Sequence, residues 1–580
     1  PRKRDTREVN ETKRNHTIGG IIMYNLISKS NLAVESILDV VARNRGVDKG
    51  VITSPSPKSL IHYSKLNYMN EAVQLFEEKM LYTQPNIVIV VDSDPDGYTS
   101  SAILTMYIHK NFPHAKVTHL FHKGREHGLT KLVVKQIEEL GDRTNLLILP
   151  DSSSNDYAQH KYISSELNIP IIVLDHHETD KVSEYAIVVN NQVSEEYTNK
   201  SLSGVGIVYK FLQALDDNYG FNDANNYLDL LALGNVADVM NLASEETRYL
   251  VYKGVEKISN DLLKEFLNQN KVEVVCPHTL SFNVIPKMNA VIRIGTEEDK
   301  RELFEVMIGK EGTFYNTRRK ANETLAYKMA RESINIHKKQ NKTKKEYVAQ
   351  LKETIESQGW HKNSIIICLN TANMDKSLTG VLASSIAEYY RKPSMILTYS
   401  EKSGLWSGSY RGIDSVLPDT KEFLRSLGRF EYVEGHAQAG GVGIKQDNLK
   451  GIFDVIGEVL ETVEGETLID VDFSLSVDHV KPSIFNELAR LEKHWGKGFE
   501  QPLFHIHSIK VPTNKIYVST GGMVDFTVND VKFTQFVGDV ELISLRKLQD
   551  KEVGLEVVAT LGVNNFRGQP NNQAIMKAFQ

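Results

Sequence analysis

Cysteine is almost missing from this chain: 580 residues hold two, Cys276 and Cys368. Two cysteines build neither a disulfide framework nor a cysteine-ligated zinc site, and both stand in apolar settings that read as core thiols. Long apolar runs are missing too. No stretch is long enough to span a membrane or has the shape of a signal-peptide core, so the sequence predicts a soluble, cytoplasmic protein. Nor does one sign of charge prevail: 68 Lys and Arg against 74 Asp and Glu leave a formal −6. That argues against a uniformly basic nucleic-acid binder but says nothing of local patches. One patch is evident. Between Arg318 and Lys345 ten basic residues face two acids, Glu323 and Glu332, and on a helix such a stripe is either a phosphate-tracking surface or a plain solvated face.

What the chain does have is three short apolar runs, each ending in acids: NIVIVVDSDPDG (86–97), NLLILPDSSSND (145–156) and PIIVLDHHETD (170–180). Runs of Ile, Val and Leu without polar alternation predict strands buried on both faces of a parallel sheet. Ligands of open α/β sheets sit at the carboxyl ends of the strands. The pattern therefore predicts that Asp92, Asp94, Asp96, Asp151, Asp175, His176 and His177 gather at one edge. Carboxylates that close resist joint ionisation unless cations neutralise them, which points to a metal site. For DSDPDG alone, an Asp-rich turn capping a helix would be the commoner use; three matching strand ends favour the metal. Oxygen ligands with one or two imidazoles suit Mn2+ or Mg2+. Two such ions, bridged by Asp151 on the central segment, fit phosphoester hydrolysis.

Strands and helices alternate through residues 51–256, a βαβ rhythm. Residues 257–360 read as a charge-rich helical connector, 361–465 as a second α/β block with the glycine-rich EGHAQAGGVGI (434–444), and 466–580 as short alternating strands of a small β-barrel. Residues 1–50 are a tail and lead-in; PRKRDTREVNETKRN has no core-forming pattern, and its start at proline reads as a processed or trimmed chain.

These segments resemble the DHH phosphoesterase superfamily, with Asp175-His176-His177 as the triplet, DSDPDG as its first motif, LPDSSSND as the second and ALGNVADVMNL as the fourth. LSGVGIVYKFLQAL, IPKMNAVIRIG, SLTGVLASSIAEYYRKPSMIL, WSGSYRG, WGKGFEQPLF and LGVNNFRGQPNNQ then resemble RecJ-type single-strand exonucleases, in order, over roughly residues 55–580. The implied fold is a parallel-sheet DHH domain, a helical connector, a second α/β DHH-associated domain and a C-terminal oligonucleotide-binding (OB) barrel. The implied activity is 5′→3′ degradation of single-stranded DNA to mononucleotides with Mn2+ or Mg2+, in recombination and repair, assisted by a helicase or single-strand-binding protein. Rival readings are a DHH phosphodiesterase for short oligonucleotides or cyclic dinucleotides, and a nonhydrolytic single-strand-binding scaffold.

By the same resemblance Asp94, Asp96, Asp151, His176 and Asp238 are metal ligands, and Asp92 is a ligand or a partner to one. Asp175 orients the histidines. His177 contacts the scissile phosphate or assists leaving-group protonation, with a satisfied buried histidine as the bland alternative. Ser409 and Arg411 anchor a terminal 5′-phosphate and Arg125 is a second phosphate contact, though a surface ion pair is the ordinary fate of each arginine. His436 reaches substrate near the metals, and Asn289 and Arg293 touch the strand or merely pack their helix. Phe526, Phe533, Phe536 and Phe566 are stacking platforms or barrel core. Two departures from the family stand out: DSSSND lacks the usual glycine turn, and Pro95 replaces a small apolar residue.

Overall fold

The computed structural model describes residues 23–28, 32, 35–124, 126–179, 181–370, 374, 376–390, 392–401, 403–413, 416–452, 455–456, 468–519, 523–536, 540–546, 551–566 and 569–580. The tail segment PRKRDTREVNETKRN lies outside them.

The first sheet has five strands, all parallel, in the order Lys116–Phe121, Asn86–Val91, Leu146–Pro150, Ile171–Asp175, Ile187–Asn190. Every residue of the three acid-tipped strands is buried. Alternate side chains explain why these runs carry no polar interruption. Ile87, Ile89, Val91, Leu146, Ile148, Ile172 and Leu174 pack with the helices Pro95–Asn111, Gly204–Tyr219 and Leu228–Ala237. Val88, Val90, Leu147, Leu149, Ile171 and Val173 pack with Lys131–Leu140 and Tyr157–Ser165 on the other face. The chain leaves Asn86–Val91 for one edge strand and returns on its other side, so a topological switch point falls between the first two acidic tips. A crevice opens there.

The connector is helical as expected except at one place. Thr313–Asn316 and Ala321–Thr324 form an antiparallel hairpin. The Asn316 side chain accepts the N–H groups of Arg318 and Arg319 at 3.1 Å each, and Lys320 adopts φ 52°. An Asx-type turn thus carries the first three cations of the basic stripe. Three of the ten cations pair with acids: Arg319 and Arg331 with Glu323, and Lys328 with Glu302. Lys338, Lys339, Lys342 and Lys345 stand exposed. They lie on a 33-residue helix, Leu325–Ser357. It buries Met329 and Ala330 in the first unit's core, and Leu351 and Ile355 in that of the second unit.

The second sheet runs Phe430–His436, Ala439–Lys445, Leu405–Arg411, Ser394–Ser400, Ile366–Asn370. The glycine-rich segment is its edge hairpin. A Cβ on Gly440 would lie 1.8 Å from the Glu434 carbonyl oxygen, so only glycine passes. Seven strands make the C-terminal sheet. Phe526 and Phe533 are buried in it, stacked at 5.1 Å, so they are core and not platforms. Phe536 is 59% exposed, and the Phe566 side chain lies outside the described residues.

The lead-in does not join the first sheet. Met23–Leu26 pairs in parallel with Leu468–Val471, and the helix Ile37–Arg45 buries Ile37, Val40 and Val41 in the barrel core. Arg45 grips buried Asp472 with two bonds of 2.8 and 2.9 Å. Cys276 and Cys368 are fully buried thiols. Among the described residues no helix is long and apolar enough to cross a membrane.

Candidate metal centre

The first strand hands over to a helix through DSDPDG. Asp94 caps that helix, accepting the Gly97 N–H at 2.9 Å. Pro95 occupies the first turn, where its missing N–H costs nothing. Asp96 turns inward. Its Oδ1 accepts from Ser203 Oγ at 3.0 Å and from the Val205 N–H at 3.3 Å, while Oδ2 is buried without a partner.

Asp151 leaves the second strand at φ 64°, and Ser153 follows at φ 81°. DSSSND thus makes its left-handed turn without glycine, at a cost of roughly 1–2 kcal/mol per residue. Bonds from Asp151 N–H to the Leu174 carbonyl (2.8 Å) and from Ser154 N–H to Asp175 Oδ2 (3.0 Å) hold it in place. Asp151 meets Asp96 carboxyl to carboxyl.

Asp175 ends the third strand fully buried and accepts four hydrogen bonds, from the N–H groups of Ser154, His176 and His177 and from His177 Nδ1 at 2.7 Å. Burial raises its pKa, but the adjoining His177 outweighs that and holds the carboxyl well below the usual range. In return Asp175 lifts His177 to about 10. His177 is therefore a half-exposed cation. His176 is its opposite: burial, then the charge of His177, lowers it to about 3 and keeps the ring neutral. Its Nε2 lies 3.3 Å from both Asp151 Oδ1 and Asp238 Oδ2, yet none of these three atoms finds a hydrogen-bond partner. Asp238 closes the helix Leu228–Ala237.

Burial raises the Asp96 carboxyl to about 6, and burial with neighbouring carboxylates pushes Asp151 and Asp238 well above their ordinary range. Four buried atoms, Asp96 Oδ2, Asp151 Oδ1, His176 Nε2 and Asp238 Oδ2, thus face one another unsatisfied. Buried polar groups are rarely left so. Carboxylate oxygens around a neutral imidazole fit Mn2+ or Mg2+, and Asp96, His176 and Asp238 lie close enough to share an ion. Two helices close over them without side chains. A Cβ on Gly204 would lie 2.3 Å from Asp151 Oδ1, and one on Gly234 would lie 2.3 Å from Asp96 Oδ1.

Arg293 and Arg411 face the same cleft. Burial lowers both from the ordinary guanidinium value; Asp94 is in electrostatic reach of Arg293, and Arg293 in turn repels Arg411. Neither has a salt bridge among the described residues. Arg411 donates to Ser384 Oγ (3.1 Å) and the Tyr410 carbonyl (2.7 Å), while Ser409 Oγ lies 3.0 Å from Thr379 Oγ1. A Cβ on Gly380 would sit 2.9 Å from the Arg411 guanidinium. The two guanidinium groups feel each other's charge with no acid in salt-bridge contact among the described residues. Asn289, one turn before Arg293, leaves a buried Oδ1 unpaired. His436 feels the charge of His177 and is itself felt by His176.

The model of the DHH family, N-terminal domain, matches residues 86–235, and that of the RecJ OB domain matches 471–578. The "Putative SPbeta prophage-derived single-strand DNA-specific exonuclease YorK" of Bacillus subtilis (strain 168) is 31% identical over 566 residues, covering 95% of this chain and 96% of the relative. The chain belongs to the RecJ-type DHH family. The single-stranded-DNA-specific exonuclease RecJ of Haemophilus influenzae is 26% identical over 81% of this chain and 82% of its own. The crystal structure of RecJ in complex with Mn2+ from Thermus thermophilus shares the fold at a TM-score of 0.70 and 19% identity, over 96% of this chain and 79% of that one.

Of the site residues expected in this RecJ-type chain, the structure gathers Asp92, Asp94, Asp96, Asp151, Asp175, His176, His177 and Asp238 at one sheet edge. It brings Arg293 into electrostatic reach of Asp94, Arg411 of Arg293 and His436 of His177, sets Ser409 against Thr379, and puts Asn289 on the Arg293 helix. Arg125 lies outside the described residues. Sequence reasoning missed His127, whose Nδ1 lies 2.5 Å from Asp92 Oδ2. The signal was its place: it follows the edge strand Lys116–Phe121, whose carboxyl end pairs in register with that of Asn86–Val91.

Proposed function

We propose that this chain is a divalent-metal-dependent exonuclease that hydrolyses single-stranded DNA from the 5′ end and releases 5′-mononucleotides. The four buried, unsatisfied ligand atoms on Asp96, Asp151, His176 and Asp238 carry this reading. The names of the relatives supply the substrate. Asp94, Asp96, Asp151, His176 and Asp238 would hold the ions. Mn2+ or Mg2+ held there brings Lewis acidity and charge neutralisation to the scissile phosphate.

The chain's own groups do the rest. Asp175 keeps His177 protonated, which puts a cation and a transferable proton beside the phosphate and its leaving oxygen. Ser409, Arg411 and Arg293 grip the terminal 5′-phosphate, Arg411 through the paired donors that guanidinium offers. A strand stopped at that pocket presents one fixed bond to the metals, which sets both polarity and product length. Asn289 and His436 line the path of the first nucleotides. Beyond Asp238, a cavity of about 630 Å³ lined by Val239, Phe282, Trp495 and Lys497 opens toward the barrel. It gives the outgoing strand apolar faces for its bases. The same reading places the protein in the cytoplasm, in recombination and repair, with a helicase or single-strand-binding protein delivering the strand.

The test is digestion of end-labelled single strands by the purified chain with Mn2+. 5′-Phosphorylated strands should shorten from the 5′ end one nucleotide at a time, blunt duplex should persist, and Asp151→Ala should abolish cleavage. Full activity in that variant, or in excess chelator, would refute the assignment.

A further inference from the structure

Asp92, like Asp175, has both oxygens engaged. Oδ2 meets His127 Nδ1 at 2.5 Å and Oδ1 accepts the Gly128 N–H at 3.2 Å. Behind it His122, fully buried, points Nε2 at Asp92 Oδ1 from 3.6 Å, with neither ring nitrogen in a hydrogen bond. Asp96, Asp151 and Asp238, by contrast, each keep a buried oxygen free. A carboxylate that takes the Nδ1–H of a histidine fixes the ring and its tautomer and presents Nε2 outward, as in the carboxylate–histidine–metal arrangement. Asp94 is the available neighbour. It spends one oxygen on Gly97, and ligand atoms of Asp92, Asp94 and His127 all lie within 4.8 Å of one another. His127 is also within electrostatic reach of His177, so it borders the same cleft.

We propose that His127 is a ligand of the second cation, beside Asp94, and that Asp92 orients it and is not itself a ligand. This rests on the metal-centre reading above. Each ion then has one imidazole, His176 for the first and His127 for the second, and paired imidazoles tilt the site toward Mn2+ over Mg2+.

The experiment is calorimetric titration of the metal-free full chain with Mn2+, together with electron spin-echo detection of histidine nitrogen on the bound ion. The unaltered chain should bind two ions. His127→Ala and His127→Gln should keep the first and weaken the second by at least about tenfold, with loss of one class of nitrogen coupling; Asp92→Asn should weaken the second by roughly 10–100-fold. The His127 side chain is 56% exposed, so its removal leaves the fold intact, and circular dichroism checks that. Two ions bound with unchanged affinity and nitrogen coupling in both His127 variants would overturn this proposal alone. An unaltered chain that binds no Mn2+ would overturn the metal centre itself.

Discussion

Gly204 opens its helix directly against the metal carboxylates, and Gly204→Ala separates local from tertiary reasoning. On helix propensity alone, alanine should stabilise the chain by about 1 kcal/mol. The structure predicts harm. The new Cβ would lie 2.3 Å from Asp151 Oδ1, 2.5 Å from its Cβ and 2.6 Å from its Cγ, well inside van der Waals contact. Asp151 cannot retreat: it is buried, its backbone is already left-handed, and its N–H is held by Leu174. The helix must move instead, taking Ser203 and Val205 away from Asp96. Overpacking a fixed neighbour costs about 1–3 kcal/mol, which offsets or exceeds the helix gain. The larger effect is on the site, where a displacement near 1 Å costs about 100-fold in rate. Mn2+ affinity and single-turnover cleavage, measured beside a Gly554→Ala control where nothing lies within 4 Å, should fall in Gly204→Ala and hold in the control. A Gly204→Ala chain that melts higher, binds Mn2+ equally and cleaves at the normal rate would refute the packing argument.

Asp96, with its carboxyl raised to about 6, binds more protons folded than unfolded between pH 3.8 and 6. The contribution of Asp96 to the stability of the metal-free chain should therefore fall as pH rises through that window. It is read as the difference from Asp96→Asn, because burial-lowered histidines such as His176 pull the other way. Mn2+ should restore it; an Mn2+-dependent melting increment no larger at pH 7.5 than at pH 5 would contradict this. Arg411→Ala should raise KM for 5′-phosphorylated strands about 10–100-fold, the worth of a charged hydrogen-bond pair, and leave 5′-hydroxyl strands unaffected. Equal losses on both would remove the end-pocket role. Phe526→Ala should cost about 3–5 kcal/mol in denaturant unfolding of the barrel, with single-strand affinity unchanged once folded.

The metal-bearing edge was legible because each acidic tip ends a short apolar run that announces its own strand, and parallel strands bring equal ends together. Asp238 had no such signal. It ends a buried helix, and only resemblance located it. The hairpin at 313–324 was hidden because two four-residue strands inside a charge-rich stretch carry too few positions to break a helical pattern. His127 was missed for a different reason: it follows a legible strand, but its meeting with Asp92 depends on that strand lying beside Asn86–Val91, a choice made by tertiary packing. The barrel phenylalanines alternate as both core and platform residues do, so burial alone could sort Phe526 from Phe536.

Arg45 and Asp472 are 427 positions apart, which gives synthesis of this molecule an awkward interval. At translation speeds of about 5–20 residues per second, roughly 20 to 90 s pass before the ribosome delivers the surface that Ile37, Val40 and Val41 need. Greasy side chains wait uncovered all that while. A nascent chain stalled short of its last hundred residues would present them to any passing hydrophobic surface, and a protein trimmed by fifty residues at its start would leave the far end with a hole where its lid belongs.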